Sequence, residues 1–304
     1  MQTLSAETVR QAIVSAHQAA FAAFPTQPAP ALSAAQLQNA VYAGAAEACA
    51  QLGFIAIDAD CLAHAWAAQT QRTGQFDAAA WPEAAQDFGL LPSGGDQAFA
   101  ACPQALGLYA VLPSAEWVGR MARAGVPTVQ LRFKSDDAQA VEREIRAAVA
   151  AVQGTSALLF INDHWRQAIA AGSYGVHLGQ EDMDALSANE LTELRTSGVR
   201  LGVSTHGYAE MVRASRAQPS YIAMGAIYPT TLKKMITVPQ GVARLMHYAQ
   251  LTRSYPQVAI GGIGAEQFAE VLQSGVGSIA VVRALVNADN PEQAAADLMA
   301  LMPT

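Results

Sequence analysis

Long apolar runs are missing from the sequence: no stretch approaches the roughly 20 residues that a helix needs to cross a bilayer. The first residues also lack the charged segment followed by an apolar segment that marks a secretory leader. We therefore expect a cytoplasmic protein that has no membrane partner.

Basic residues are scarce as well. The 304 residues include 18 lysines and arginines against 25 aspartates and glutamates, which gives a formal charge of −7. Binding to nucleic acid needs a basic face, so we expect no nucleic-acid partner. Any phosphate group must instead be held by a local cluster of cations or backbone N–H groups. The sequence leaves a homo-oligomer open.

Cysteines number only three, Cys49, Cys61 and Cys102, and no two of them form a C-x-x-C pair. This spacing argues against a structural zinc site and against a disulfide framework. We expect ordinary buried thiols.

Residues 1–104 are rich in alanine, and we interpret them as a mainly helical N-terminal region to which no function can be assigned. The apolar pattern predicts a helix from Ser5 to Phe24, and Ser33 is a suitable N-cap for the next helix. The elements expected after Ser33 are a helix to about Leu52, a short strand FIAI at 54–57 and a helix through about Gln71.

Residues 105–304 alternate between strand, loop and helix patterns. The strand candidates are LGLYAVL (106–112), TVQLRF (128–133), ALLFIN (157–162), YGVHLG (174–179), RLGVST (200–205), YIAMG (221–225), VAIGG (258–262) and SIAVV (278–282). Eight β/α units in about 200 residues predict an α/β fold, a (β/α)8 TIM barrel preceded by the N-terminal extension. An open, doubly wound sheet is the alternative, but no G-x-G-x-x-G turn follows the first strand.

Barrel enzymes place their chemistry at the C-terminal ends of the strands. Gln130, Arg132 and Lys134 alternate along the second strand candidate, so they are expected to face one side. Two cations and an amide in a row are costly to bury without anionic partners. The predicted partner is an anionic ligand, and the alternative is a structural salt-bridge network with Asp163 and Asp182.

Acidic residues follow the third and fourth strand candidates. Asn162 and Asp163 end FIND, and Asp182 follows YGVHLGQE. If these strands are parallel neighbours, about 4.8 Å apart, the two carboxylates reach one rim. Oxygen ligands of this kind suit a divalent cation bound to a phosphorylated ligand.

A second anion site is expected where Gly261 and Gly262 end the seventh strand candidate. Free N–H groups there can hold a phosphate, and the loops after strands seven and eight are the usual phosphate site of this fold. Lys233, just beyond the sixth strand, could reach over the rim.

The series VQLRFK, FINDHW, YGVHLGQED, LGVSTH, YPTTLKK, VAIGGI and SIAVV resembles thiamine phosphate synthase, in the same order and at similar spacing, over about residues 106–300. The resemblance implies a TIM-barrel transferase that joins 4-amino-2-methyl-5-(diphosphomethyl)pyrimidine to thiazole phosphate and releases diphosphate. It also implies a magnesium cofactor and these two small-molecule substrates.

The resemblance assigns roles to individual positions. Asp163 and Asp182 match the magnesium ligands of the family. The residues that match its pyrimidine diphosphate site are Gln130, Arg132, Lys134, Asn162, Ser204 and Lys233, of which Arg132, Lys134 and Lys233 are the predicted catalytic cations. Those that match its thiazole phosphate site are Thr230, Thr231, Leu232, Gly262, Val282 and Arg283. This chain departs from the family at Leu232, often threonine there, and at Arg283, usually serine.

Two other functions remain as alternatives. One is a thiazole tautomerase, in which a histidine would move a proton. The other is a non-catalytic thiamine-pathway binding protein. His177 and His206 lie at or near strand ends, where we expect them to support the site through hydrogen bonds. Diphosphate release separates the synthase from both alternatives.

Overall fold

The computed structural model describes residues 4–230 and 238–303. The eight strands are β1 (Gly107–Leu112), β2 (Thr128–Leu131), β3 (Leu158–Asn162), β4 (Gly175–Leu178), β5 (Arg200–Thr205), β6 (Tyr221–Met224), β7 (Gln257–Ile260) and β8 (Ser278–Val281). The helices, in chain order, are α1 (Ala6–His17), α2 (Ala34–Gln38), α3 (Ala40–Gln51), α4 (Ala56–Thr73), α5 (Ala85–Phe88), α6 (Ala115–Arg123), α7 (Ala138–Ala151), α8 (Trp165–Ala171), α9 (Gln180–Ala185), α10 (Ala188–Thr196), α11 (Tyr208–Ser215), α12 (Gly241–Leu251), α13 (Phe268–Leu272), α14 (Arg283–Val286) and α15 (Pro291–Ala300). A 3-10 turn at Ala265–Gln267 precedes α13. None of the helices in the described ranges has the length and apolarity of a membrane span.

The residues cluster into two compact units. The first comprises Met1–Leu91 and Gly207–Arg216, and the second comprises Pro92–His206 and Ala217–Thr304. Helix α11, which follows β5 in the sequence, therefore belongs to the first unit.

The first unit is helical, and three details of its sequence-based prediction were wrong. The first helix ends at His17 and does not continue to Phe24. Ser33 caps α2 as expected, with Gln36 N donating to Ser33 Oγ at 3.3 Å, but the helix stops at Asn39. Asn39 then caps α3 by accepting from Val41 N and Tyr42 N, both at 3.1 Å. The FIAI segment is not a strand: α4 begins at Ala56 within it. A four-residue apolar run cannot by itself distinguish a strand from the start of a buried helix.

Aromatic side chains form the core of the first unit. Phe54, Trp66 and Trp81 are buried, and the ring centroids of Phe54 and Trp81 lie 5.7 Å apart. Trp81 Nε1 donates to the hydroxyl of Tyr208 on α11 at 3.0 Å. Asp58, only 4% exposed, accepts from Ala209 N at 2.9 Å and so caps the start of α11. These contacts hold α11 within the helical unit.

The second unit is a closed barrel of eight parallel strands in sequence order, with β8 returning to pair with β1. This confirms the predicted (β/α)8 fold and excludes the open sheet. The barrel interior is filled by side chains that include Tyr109, Phe160, Tyr221 and Val258, all at most 1% exposed. Because all strands run in one direction, their C-terminal ends share one rim.

Candidate active site

Strand β2 carries Gln130, but it is shorter than its sequence pattern predicts, so Arg132 and Lys134 lie beyond its end. It ends at Leu131, and Arg132 N makes one further hydrogen bond to Leu112 O at 2.8 Å. Gln130 lies within the strand and is 4% exposed, while Lys134 is exposed in the following loop. Solvent exposure therefore increases along the predicted series, from Gln130 in the barrel interior to Lys134 at the surface.

Neither Arg132 nor Lys134 forms an ion pair with a carboxylate in the described ranges. All seven ion pairs found there involve other residues. The alternative of a structural salt-bridge network is thus not realised among these residues. Two cations that form no ion pair within the described ranges favour an anionic ligand.

Asp163 and Asp182 come together at the same rim. Asp163 directly follows β3, and its backbone N–H donates to His177 O on β4 at 3.0 Å. Asp182 lies in the first turn of α9, where Gly179 N donates to its Oδ2 at 2.9 Å. Asp163 has φ of 65°, a left-handed conformation that is uncommon for residues other than glycine and often marks functional sites.

The electrostatics of Asp163 reflect this proximity. Loss of water around its carboxyl group, followed by the nearby Asp182 carboxylate, raises the pKa of Asp163, while His164 and Arg132 act in the opposite direction. A cation shared by two neighbouring carboxylates offsets the repulsion between their negative charges. The oxygen donors and the charge of this pair fit a hard divalent ion such as Mg²⁺.

An interior hydrogen-bond network connects two of the predicted ligand-binding residues. Gln130 Nε2 donates to Tyr109 Oη at 2.9 Å, and the hydroxyls of Tyr109 and Tyr221 lie 2.7 Å apart. Tyr221 Oη lies 2.7 Å from His177 Nδ1, and His177 Nε2 lies 2.7 Å from Ser204 Oγ. Burial, first of all, raises the pKa of both tyrosine hydroxyls, so both remain protonated. Sequence reasoning missed Tyr109 and Tyr221, although a hydroxyl inside an otherwise apolar strand was a usable signal.

The loops after β6 and β7 meet through their backbones. Tyr228 N donates to Gly261 O at 2.9 Å. Gly262 has φ of 70°, and a Cβ atom there would lie 2.6 Å from Pro229 O. Glycine is the residue that suits this position, and the turn after β7 lies against Tyr228 and Pro229.

The remaining predicted residues have simpler placements. Asn162 is the last residue of β3 and Ser204 lies near the end of β5. Val282 follows β8 and Arg283 opens α14. Thr231, Leu232 and Lys233 lie outside the described residues.

A closed (β/α)8 barrel with Asp163, Asp182 and Arg132 close together at the C-terminal ends of its strands is the architecture of a barrel enzyme. The profile of the family described as thiamine monophosphate synthase matches residues 108–285. The chain therefore belongs to the thiamine monophosphate synthase family, which confirms the resemblance seen in its motifs, and it is a transferase.

Individual relatives agree with this assignment. The chain is 54% identical to thiamine-phosphate synthase of Neisseria meningitidis over 187 residues, which are 62% of this chain and 90% of the relative. It is 48% identical to the enzyme of Serratia proteamaculans over 204 residues, 67% of this chain and 95% of the relative. The structure of thiamine phosphate pyrophosphorylase from Pyrococcus furiosus matches with a TM-score of 0.57 and 25% identity, covering 64% of this chain and 95% of that one. The family profile begins only at residue 108, so the helical N-terminal region lies outside it.

Proposed function

We propose that the protein joins 4-amino-2-methyl-5-(diphosphomethyl)pyrimidine to thiazole phosphate, giving thiamine phosphate and diphosphate. The observation that carries the proposal is the pairing of Asp163 with Asp182 at a rim that also holds Arg132. Such a site suits a leaving group with several negative charges. The family assignment supplies the reaction class.

Asp163 and Asp182 are the residues that would hold Mg²⁺. When bound, the ion supplies charge neutralisation for a diphosphate. The fit rests on the raised pKa of Asp163, because a carboxylate that is disfavoured beside Asp182 becomes favourable once a cation is present.

The reaction needs the methylene carbon–oxygen bond of the pyrimidine substrate to break, and the bonding electron pair leaves with diphosphate. Arg132, Lys134 and Lys233 would neutralise the charge that develops on this leaving group. Asn162 and Ser204, at the ends of β3 and β5, would hold the same substrate by hydrogen bonds. The aminopyrimidine donates electron density to the carbon left behind, and the thiazole nitrogen then attacks that carbon.

Thiazole phosphate would bind along the loops after β6, β7 and β8. Its site would use Thr230, Thr231, Leu232, Gly262, Val282 and Arg283. The close backbone approach at Gly262 supports a site built from N–H groups, in which the identity of a side chain such as Leu232 matters little. Arg283 adds a guanidinium, a group whose geometry matches phosphate.

No protein nucleophile is required by this scheme. Burial raises the pKa of Cys61 to about 12 and that of Cys102 to about 11, and it raises the pKa of Cys49 still further. These thiols are poor nucleophiles at neutral pH because they are almost entirely protonated.

The test is diphosphate release by the full chain with both substrates and Mg²⁺. The proposal predicts one diphosphate for each thiamine phosphate formed. A thiazole tautomerase or a non-catalytic binding protein would release none under any of these conditions. That outcome would reject the synthase function for this chain.

A further inference from the structure

The interior network spans five strands and ends at Gln130 and Ser204, two residues predicted to bind substrate. Its members are Gln130 on β2, Tyr109 on β1, Tyr221 on β6, His177 on β4 and Ser204 on β5. Tyr109 and Tyr221 are 1% and 0% exposed, and His177 is 8% exposed. The two tyrosines therefore act only through other side chains.

The direction of the hydrogen bonds follows from the orientation of the Gln130 amide, in which Nε2 lies next to Tyr109 Oη. An amide nitrogen can only donate, so Tyr109 Oη accepts from Gln130 Nε2. The Tyr109 hydroxyl contacts Gln130 and Tyr221 among the described residues, so its own proton must go to Tyr221. If Tyr221 donated to Tyr109 instead, a buried donor would be left unsatisfied, which is unfavourable.

The hydrogen bonds at the far end of the network have defined directions as well. Tyr221 has accepted from Tyr109, so its proton goes to His177 Nδ1, which must be unprotonated. His177 then carries its proton on Nε2 and donates to Ser204 Oγ. The hydroxyl proton of Ser204 is left to donate to a ligand, while the amide oxygen of Gln130 is left to accept from one.

We propose that Tyr109 and Tyr221 are positioning residues that hold His177 in its Nε2–H tautomer, so that Gln130 offers an acceptor and Ser204 a donor to the substrate. This rests on the proposed function, in which both residues bind the aminopyrimidine diphosphate. The exocyclic amino group of that substrate is a donor that matches Gln130. Its diphosphate oxygens are acceptors that match Ser204.

One competing arrangement satisfies every group. If the Gln130 amide is rotated by 180°, each hydrogen bond reverses, His177 carries its proton on Nδ1, and Ser204 donates inward to His177 Nε2. Gln130 would then offer a donor and Ser204 an acceptor. The tautomer of His177 therefore distinguishes the two arrangements.

The first test is the tautomer of His177 in the full-length, ligand-free protein. Two-bond ¹H–¹⁵N correlation spectra of protein labelled with ¹⁵N-histidine distinguish the two tautomers, and loss of one signal set in a His177→Gln variant assigns the residue. We expect the Nε2–H pattern. The Nδ1–H pattern, or an equal mixture of both, would overturn the proposal. Because no substrate is present, this result does not depend on whether the protein is a synthase.

The second test is Tyr221→Phe, which interrupts the network at its centre. We expect His177 to become a mixture of tautomers and the Kd for the pyrimidine diphosphate substrate, measured by calorimetry, to rise tenfold or more. For turnover, KM should rise by a similar factor while kcat falls less than threefold. Tyr255→Phe is the matched control, since Tyr255 is equally buried and its hydroxyl is outside the network; it should leave tautomer and affinity unchanged.

A Tyr221→Phe variant that keeps both the Nε2–H tautomer and wild-type affinity would remove the two tyrosines from substrate positioning. If that variant does not fold, the spectrum of the wild-type protein still decides between the two directions. Failure of the proposed function has a different signature, because His177 would then show the expected tautomer while the protein releases no diphosphate.

Discussion

Replacing Asp163 with asparagine should stabilise the metal-free protein and strongly lower the rate of diphosphate release with Mg²⁺ present. Asparagine is the most suitable replacement because it tolerates the left-handed backbone at φ of 65°. It removes a charge that is partly desolvated and that opposes Asp182, while keeping a side chain of the same shape. The variant therefore separates the electrostatic role of the carboxylate from its fit in the loop.

The magnitude follows from the position of the pair. Two unit charges about 4 Å apart interact with roughly 4 kcal/mol at an effective dielectric constant of 20. Asp163 is exposed at the rim, however, and exposed pairs are worth only about 0–1 kcal/mol because solvent screens them. We expect a gain of about 0.5–1 kcal/mol, which corresponds to a rise in Tm of roughly 1–4 °C.

The effect depends on pH in a defined direction. Folding raises the pKa of Asp163 above its ordinary value of 3.8. Asp163 therefore makes its whole contribution to the free energy of unfolding below pH 3.8, and this contribution is lost as the pH rises through the raised pKa. The difference in Tm between variant and wild type should be near zero below about pH 4 and largest at neutral pH and above.

Calorimetry in the presence of a chelator measures this difference, and Asp289→Asn is the control for loss of one exposed carboxylate. Adding Mg²⁺ with diphosphate should raise the Tm of the wild type and leave the Asp163→Asn variant nearly unchanged. The diphosphate release rate of the variant should fall by about a hundredfold or more. If the variant melts at or below the wild-type temperature at pH 8, or keeps its activity, the electrostatic reasoning is wrong.

Three further predictions test other parts of the molecule. Lys233→Ala should lower kcat at least tenfold, because a charge-assisted contact is worth about 1.5–3 kcal/mol. The control variant Lys234→Ala should have a kcat near that of the wild type. If both variants have the same kcat, Lys233 has no part in the mechanism. Gly262→Ala should raise KM for thiazole phosphate tenfold or more, because the added Cβ would lie 2.6 Å from Pro229 O. Gly275→Ala is the control, since Gly275 has φ of 86° but open space around it. This control should lower the free energy of unfolding by only about 1 kcal/mol in a denaturant titration and leave KM unchanged. Deletion of residues 1–91 should give an aggregated protein in size-exclusion chromatography, because Tyr208 on α11 loses its partners in the helical unit; a monodisperse and fully active fragment would contradict this.

The barrel could be predicted from the sequence because each strand is a short apolar run followed by a turn and a helix pattern. This strand–turn–helix pattern repeats eight times, and few topologies are compatible with it. The neighbouring positions of Asp163 and Asp182 follow from the same regularity, since consecutive parallel strands end at one rim.

The elements that sequence reasoning missed depend on longer-range packing. The apolar segment FIAI starts a helix rather than a strand because its partners are helices and aromatic side chains of the first unit. The contact between Tyr109 and Tyr221 joins residues on β1 and β6, which are 112 positions apart in the sequence. Such contacts are set by how strands face one another across the barrel, and no local pattern records that.

A crystal structure of the full chain grown with Mn²⁺ and diphosphate, with data collected at the manganese absorption edge, tests the metal site most directly. We expect one anomalous peak between the carboxylates of Asp163 and Asp182, bound to each directly or through a water molecule. We also expect the diphosphate to contact Arg132 on its other side. A diphosphate bound without a metal peak at this pair, or a metal held elsewhere on the barrel, would contradict this expectation.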